Sequence, residues 1–286
     1  MKIDDWTLSG GGMEGESYFS KSHPQLMMKV YPVQRGEEFV KNEFRQGREM
    51  GRCGISVPEV LEVTHFKGQP ALIMQRITHK KSFCRLVGEC PEMIPSLARR
   101  MAAMTRDLHS KVPSCTATFP SALGKYRSLL ENNTVLDDAD KLLVREALDA
   151  IEADERGTLL HGDLHFGNVI TDGAQDYFID LGDVSMGHPN HDLAMFYIVT
   201  HFGCDHSFEF LYHMKWAQGL EFWEEFKTAY YGHPIDDREV YGQLRNYMLA
   251  RSVWFKIDQI QTTLCSLMRR DDRPLTAEIR LRDLGE

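Results

Sequence analysis

Short apolar runs with strand character fill residues 1–76 of the chain. Two strands are predicted at residues 17–19 and in the run LMMKVY around Lys29, and two more are predicted at residues 57–65 and 69–75. A Lys-Gly pair separates the last two runs, as at a tight turn between antiparallel strands. The pattern therefore predicts a small antiparallel sheet in this part of the chain.

Helical periodicity interrupts these strands once and then dominates the sequence. Residues 37–50 carry apolar side chains on one side of a predicted helix, and apolar residues recur at helical spacing over 92–110 and 142–151. The apolar run Leu193 to Val199 predicts a buried helix. We therefore predict an α+β fold, with a sheet and one helix in the first part and mainly helices in residues 77–286.

A short hydrophobic hairpin, residues 168–179, has unusually polar ends. An Asp-Gly pair between its two apolar runs is a strong signal for a hairpin turn. Counting back from this turn places Asn168 and Asp180 opposite or nearly opposite each other, where side chains lie about 5 Å apart. Two such oxygen donors suit Mg²⁺, which needs few protein ligands. Asp163, on the loop before the hairpin, is the candidate base.

These residues form a recognisable series. His161, Asp163, Asn168 and Asp180 stand at the spacings of the kinase catalytic signature. A chance motif on a polar hairpin is the alternative, which four matched positions disfavour. The stretches HGDLHFGN and IDLGDVSMGHPNHDLA resemble the aminoglycoside phosphotransferase and choline kinase-like family, whose members phosphorylate small molecules. The resemblance implies a two-lobed, protein-kinase-like fold.

Several details differ from a protein kinase. His165 stands where a protein kinase has lysine, and DLGD replaces the DFG triplet. Only eleven residues separate Asp180 from Asp192, which leaves no room for an activation segment. A protein substrate is therefore not expected.

A glycine-rich segment, SGGGMEGESYFS, contains Gly10, Gly12 and Gly15 in the spacing GxGxxG. A plain glycine-rich turn or a dinucleotide site could share this spacing, but a dinucleotide site needs a following helix. Here strands follow, and the second carries Lys29, which is the kinase order. The residues expected to contact nucleotide in and after this loop are Gly11, Gly12, Gly15 and Ser17.

By resemblance to the family, Lys29 grips the α and β phosphates of ATP and pairs with a glutamate of the predicted helix. Glu43 and Glu49 are the two candidates, and the interval to the VPEVL strand favours Glu43. The hinge from Gln75 to Ile77 is expected to hydrogen-bond adenine through its backbone. Asp192 is expected to brace the catalytic loop.

The resemblance implies an enzyme that uses ATP and Mg²⁺. Asn168 and Asp180 would hold the metal on phosphates bound between the lobes, while Asp163 accepts or orients the acceptor hydroxyl proton. The acceptor would be an aminoglycoside, amino alcohol or sugar-like molecule. A nucleotide-binding regulator or scaffold without turnover is the alternative, although every chemical position is filled.

The carboxy-terminal third is rich in aromatic residues but carries no specific motif. An aromatic cage for a quaternary ammonium is one interpretation. Phe222, Phe226 and Tyr230 recur every four residues, however, which favours the core face of a helix. In the GHP segment, His188 occupies a place where relatives commonly carry aspartate.

Charge narrows the expected partners. The 42 acidic residues exceed the 33 basic ones, and the net charge of -9 argues against nucleic acid and favours a cationic or neutral acceptor. The amino terminus lacks a signal-peptide pattern and the longest apolar run is too short to span a bilayer, so a cytoplasmic protein without membrane contact is expected. Acidic residues in the expected acceptor region are Glu209, Glu221, Glu224, Glu225, Asp236 and Asp237.

Overall fold

The structure is a computed structural model that describes residues 3–12, 15–113, 118–255 and 257–270. It divides into two compact units, the first comprising Met1–Ser82 and Asn168–Asp183, and the second Phe83–Gly167 and Val184–Glu286. The sequence analysis placed a single boundary at residue 76. The first unit instead extends to Ser82 and includes the hairpin, because a strand at Lys81–Ser82 pairs with that hairpin.

Unit 1 contains a five-stranded antiparallel sheet and one helix. The strands are β1 (Trp6–Gly12), β2 (Gly15–Ser20), β3 (Leu26–Val30), β4 (Val60–Phe66) and β5 (Gln69–Gln75), in the spatial order β1-β2-β3-β5-β4. Helix α1 (Gly36–Arg52) packs against β4 and β5. Val40 of the helix and Leu72 of the sheet are fully buried in one cluster, which fixes the helix on this face. The predicted sheet and helix are confirmed.

Two strands were predicted at residues 57–65 and 69–75, and the first of them starts later than expected. Strand β4 begins at Val60 rather than Val57. Pro58 has no backbone N–H and cannot donate a ladder hydrogen bond, so the chain enters the sheet only after it. The predicted Lys-Gly turn is present, with φ of 51° at Lys67 and 79° at Gly68.

The hairpin forms a second, three-stranded sheet within unit 1. Its strands are β6 (Lys81–Ser82), β8 (Val169–Thr171) and β9 (Asp176–Phe178), in the order β6-β8-β9. Four residues connect β8 to β9, and the Asp172 carboxylate accepts hydrogen bonds from the backbone N–H groups of Ala174 and Gln175. This turn holds the ends of β8 and β9 together.

Unit 2 is mainly helical. Its helices are α2 (Phe83–Glu89), α3 (Ile94–His109), α4 (Ala122–Glu131), α5 (Asp138–Glu152), α6 (Asn190–His201), α7 (Asp205–Tyr212), α8 (Trp216–Tyr231), α9 (Asp237–Ser252) and α10 (Asp258–Arg270). Two short strands, β7 (Thr158–Leu160) and β10 (Ser185–Gly187), pair with each other on either side of the segment 161–184. Among the described helices, none is long and apolar enough to cross a membrane.

The helix predictions for unit 2 are confirmed, except that the buried face of one helix differs in part from the predicted one. All the apolar positions predicted for α3 are buried, and α6 is buried almost throughout. In α5, Ala147 and Ile151 are buried as the spacing predicts, but Leu142 is exposed while Val144 and Leu148 are buried. In α8, Phe222 and Phe226 pack edge-on against Phe196 of α6, so these aromatic residues form core rather than a cage.

Candidate active site

Lys29 lies between two carboxylates inside unit 1. Its Nζ is 3.5 Å from Glu43 Oε1 and 3.2 Å from Asp180 Oδ1. Glu43 is buried on α1, and β3 presents Lys29 toward it. Glu49, the competing candidate, lies 3.3 Å from Arg52 instead. The structure therefore contains the expected Lys29–Glu43 pair, and the part of this pair in nucleotide binding stays a prediction.

The two expected metal ligands lie at the open end of the hairpin. The backbone N–H of Ile179 donates to the Asn168 carbonyl at 3.0 Å, so Asn168 stands opposite Ile179 with Asp180 one residue beyond. Asp180 has a φ of 62°, a left-handed conformation that aspartate tolerates better than most residues. The Asp180 side chain extends toward Lys29, whose Nζ donates to Asp180 Oδ1. The hairpin thus brings an amide and a carboxylate side chain to one end.

The glycine-rich segment forms the ends of β1 and β2, with Gly12 paired to Gly15. Gly11 and Gly12 lie in β1, and Ser17 stands directly across the ladder from Lys29. Gly15 has a φ of 143°, and a Cβ there would lie 2.1 Å from the carbonyl oxygen of Val30. Close approach to β3 therefore requires glycine at this position, whatever the loop binds.

The expected hinge is tied into unit 1 by its own backbone. The N–H of Gln75 donates to Glu59, and the N–H of Arg76 donates to Gln25, each at 2.7 Å. Ile77 is buried against Ile170 of the hairpin. Two of the three backbone N–H groups of the expected hinge are thus already hydrogen-bond donors within unit 1.

Asp192 holds the backbone of the loop of unit 2 that leads to Asp163. Its fully buried carboxylate accepts hydrogen bonds from the backbone N–H groups of His161 at 2.7 Å and Gly162 at 2.8 Å. His109 Nε2 lies 3.1 Å from the same carboxylate, and His109 Nδ1 is 2.7 Å from the hydroxyl of Tyr230. An ionised carboxylate only accepts, so His109 donates from Nε2. These contacts give His109 a structural role.

The environment of Asp192 also fixes its charge. Burial raises the pKa of a carboxyl group, but the hydrogen bond and charge of His109, together with the charge and backbone hydrogen bond of His161, outweigh burial and hold the pKa of Asp192 below its ordinary value. The carboxylate therefore stays ionised at neutral pH and keeps the loop backbone in place.

Asp163, the candidate base, lies on the same loop and faces two basic side chains. Its Oδ2 is 3.7 Å from His165 Nε2, and its Oδ1 is 3.7 Å from Arg251 Nη2. Burial acts to raise the pKa of Asp163, but His165, Arg251 and His161 together lower it below the ordinary value. Asp163 is therefore a charged group that can accept or orient a hydroxyl proton at neutral pH.

Arg251 was missed by the sequence analysis. It lies near the end of α9 and is almost fully buried, although the surrounding sequence YMLARSVW is otherwise mostly apolar. One charged residue within a buried helical run is a detectable signal, because such a residue needs a partner. The sequence does not reveal that the partner is Asp163.

The predicted site residues fall in both units. Asp163 belongs to unit 2, whereas the expected nucleotide and metal residues belong to unit 1, with the division between Gly167 and Asn168. No cluster of three or more histidine, cysteine or acidic side chains suited to a metal ion occurs in the part of the chain that the structure describes.

Comparisons with known proteins agree on the family and the fold. The model of the family described as the phosphotransferase enzyme family matches residues 5–231. A choline/ethanolamine kinase family protein from Mesorhizobium loti is 18% identical with a TM-score of 0.59, and the match covers 97% of this chain and 92% of that one. A search of curated proteins with this sequence finds no match.

Two aminoglycoside phosphotransferases are similarly related. The Streptomyces rimosus enzyme APH(3'')-Id, in complex with ADP and streptomycin, is 19% identical with a TM-score of 0.59, covering 89% of this chain and 94% of that one. The ternary complex of streptomycin, ATP and APH(2'')-IIa is 17% identical with a TM-score of 0.59, covering 95% and 93%. The predicted kinase-like α+β fold class is confirmed, and the chain belongs to the phosphotransferase enzyme family.

Proposed function

We propose that this protein transfers the γ-phosphoryl group of ATP to a hydroxyl group of a small molecule. The observation that carries the proposal is the Lys29 ammonium held between Glu43 and Asp180. A lysine fixed in this way can neutralise phosphate charge without losing its position. The nucleotide complexes of the two aminoglycoside phosphotransferases above support ATP as the donor.

Unit 1 would bind the nucleotide. Lys29 grips the phosphates, and Gly11, Gly12, Gly15 and Ser17 present backbone and hydroxyl donors from the neighbouring strands. The backbone from Gln75 to Ile77 would contact the adenine. These assignments follow the kinase order of the motifs, and they are consistent with Ser17 and Lys29 facing each other across the β2–β3 ladder.

Asn168 and Asp180 would hold Mg²⁺. The donor set fits this ion, since it offers one amide oxygen and one carboxylate oxygen at the end of a short hairpin and leaves most positions to water and phosphate. When bound, the ion would neutralise charge on the transferred phosphoryl group. The Asp180 carboxylate also contacts Lys29, so the residue would link the metal to the phosphate-binding lysine.

Asp163 would orient the acceptor hydroxyl and take its proton. Its lowered pKa makes Asp163 a weak base. A weak base suits a loose transition state, in which the acceptor hydroxyl loses its proton only late in the transfer of the phosphoryl group. Asp192 would keep the loop in the required conformation through its two backbone hydrogen bonds.

The acceptor we propose is cationic or neutral, and most of the acidic residues expected to attract it have other partners. Glu224 and Asp237 neutralise the buried Lys227 at 2.9 Å, and Asp236 caps α9. Glu225 lies 3.7 Å from Arg99. Glu221 is exposed.

Glu209 is the acidic residue of this group that lines a cavity. The cavity has a volume of about 470 Å³ within unit 2 and is also bordered by Lys215. The preference for a cationic acceptor therefore rests on the net charge of -9 rather than on a strongly acidic pocket.

The test is a screen of ATP-dependent phosphorylation across aminoglycosides, choline, amino alcohols and neutral sugars, read as ADP release and as phosphorylated product. We expect at least one acceptor to give both signals with wild type and neither with Asp163→Ala. Binding of Mg-ATP without product for any acceptor would favour the alternative function, a nucleotide-binding regulator that keeps the fold without turnover.

A further inference from the structure

Arg251 is a buried cation whose partners lie within unit 2. Its Nη1 donates to the Tyr126 hydroxyl at 2.9 Å, and its guanidinium lies 4.1 Å from the centre of the Trp254 ring. Only 1% of the residue is exposed. Burying a guanidinium is costly unless a carboxylate balances its charge, and the carboxylate that its Nη2 approaches is that of Asp163, at 3.7 Å.

Two contacts orient the guanidinium of Arg251. Tyr126 comes from α4, and Trp254 follows the end of α9, so contacts from two segments fix the plane of the guanidinium. A planar group held on a hydroxyl and an aromatic ring keeps one orientation. Its charge then acts on one oxygen of Asp163, while His165 faces the other oxygen.

We propose that Arg251 is a positioning residue for phosphoryl transfer: from α9 it fixes the orientation of the Asp163 carboxylate and maintains its negative charge. The inference rests on the proposed function for its catalytic meaning, but the pairing itself does not depend on that function. Loss of Arg251 would leave the half-buried carboxylate of Asp163 less firmly oriented and easier to protonate.

The groups that set the charge of Asp163 can be named. His161 and His165 face it from the catalytic loop, and Arg251 faces it from α9. Burial and the negative charge of Asp163 raise the pKa of Tyr212, which lies at the end of α7. The guanidinium of Arg251 stays positively charged throughout the pH range of the experiments.

Four variants separate positioning from simple loss of packing. Arg251→Met removes the charge and keeps much of the volume, and Arg251→Lys keeps a charge. Tyr126→Phe is the milder substitute should Arg251→Met not fold, because it removes only the hydroxyl that holds Nη1. Arg245→Met is the matched control, since Arg245 lies on the same helix but donates to the carbonyl of Met268.

The first measurement needs no activity. Denaturant unfolding is compared for wild type, Arg251→Met, Asp163→Asn and the double variant at pH 7.5. We expect Arg251→Met to lower the unfolding midpoint clearly less in the Asp163→Asn background, because the half-buried negative charge that Arg251 neutralises is then absent. Tyr126→Phe should show the same dependence on residue 163, and Arg245→Met should show none. Equal losses in both backgrounds would overturn the inference.

The second measurement is the pH profile of kcat/KM with an acceptor identified in the screen. In Arg251→Met, the decrease of kcat/KM on the acidic side of the profile should occur at a pH higher by about one unit or more. Arg251→Lys should restore part of the shift, and Arg245→Met should leave the profile in place. An unmoved profile in Arg251→Met would show a merely structural role. Absence of phosphoryl transfer in wild type would refute the proposed function, while the unfolding cycle would still decide whether Arg251 holds Asp163.

Discussion

Replacing Asp192 with asparagine should destabilise the protein by about 1–3 kcal/mol, because one buried donor loses its acceptor. The carboxylate oxygen that accepts from both His161 and His109 can be replaced by the amide oxygen. The amide nitrogen then faces the N–H of Gly162, where two donors meet. Asp192→Ala removes every acceptor and should cost about 3–5 kcal/mol, as for breaking a buried ion pair.

The assay is urea unfolding followed by circular dichroism, with Asp149→Asn as the control. Asp149 is an exposed carboxylate that pairs with Arg127 at 2.9 Å, so its loss should change stability little. A loss in Asp192→Asn no larger than that of the control would refute the view that this carboxylate holds the loop.

The dependence on pH follows from the lowered pKa of Asp192. A depressed pKa in the folded state gives stability that is fully present above the unfolded value, about 3.9, and is lost as pH falls through the folded value. The difference between wild type and Asp192→Asn should therefore be constant from pH 5 to pH 7.5 and shrink below about pH 4. A difference that grows on acidification would contradict the assigned charge state.

Three further predictions concern catalysis. Asp163→Ala should reduce kcat by about 10²- to 10⁴-fold with little change in Mg-ATP affinity measured by calorimetry, since a positioned base is lost but no phosphate contact is; equal loss of affinity would contradict its role. Asp180→Asn should weaken the dependence of ATP affinity on Mg²⁺, and identical titrations of wild type and variant would exclude it as a ligand. Amino sugars or amino alcohols should be accepted ahead of carboxylated compounds of similar size, with a preference that shrinks as salt rises; a preference unchanged by salt would refute the electrostatic argument.

Local patterns in the sequence were enough to predict most of the elements. The hairpin follows from an Asp-Gly pair between apolar runs, and α3 follows from seven apolar or small positions that are all buried. The hairpin and α3 depend on short segments whose periodicity is visible in the residues themselves. The Lys29–Glu43 pair was expected instead from the resemblance to the family, and the structure contains it.

Features that depend on distant neighbours were not predictable. In α5 the buried face includes Val144 and Leu148 rather than Leu142, since contacts with other helices of unit 2 select the face. The unit boundary at Ser82 depends on pairing of β6 with the hairpin, about ninety residues later in the chain. The pairing of Arg251 with Asp163 likewise depends on the fold, because only the packing of α9 places the two residues near each other.

The two carboxylates of the catalytic loop region, Asp163 and Asp192, show why environment decides the role of a residue. Both have a lowered pKa, and both are therefore charged at neutral pH. The oxygens of Asp192 accept from backbone N–H groups that cannot turn away unless the loop unfolds, so Asp192 cannot also serve an acceptor hydroxyl. Asp163 instead faces two side chains, His165 and Arg251, each at 3.7 Å. Contacts of this kind stabilise the charge of the carboxylate, so under the proposed function Asp163, and not Asp192, would serve the acceptor hydroxyl.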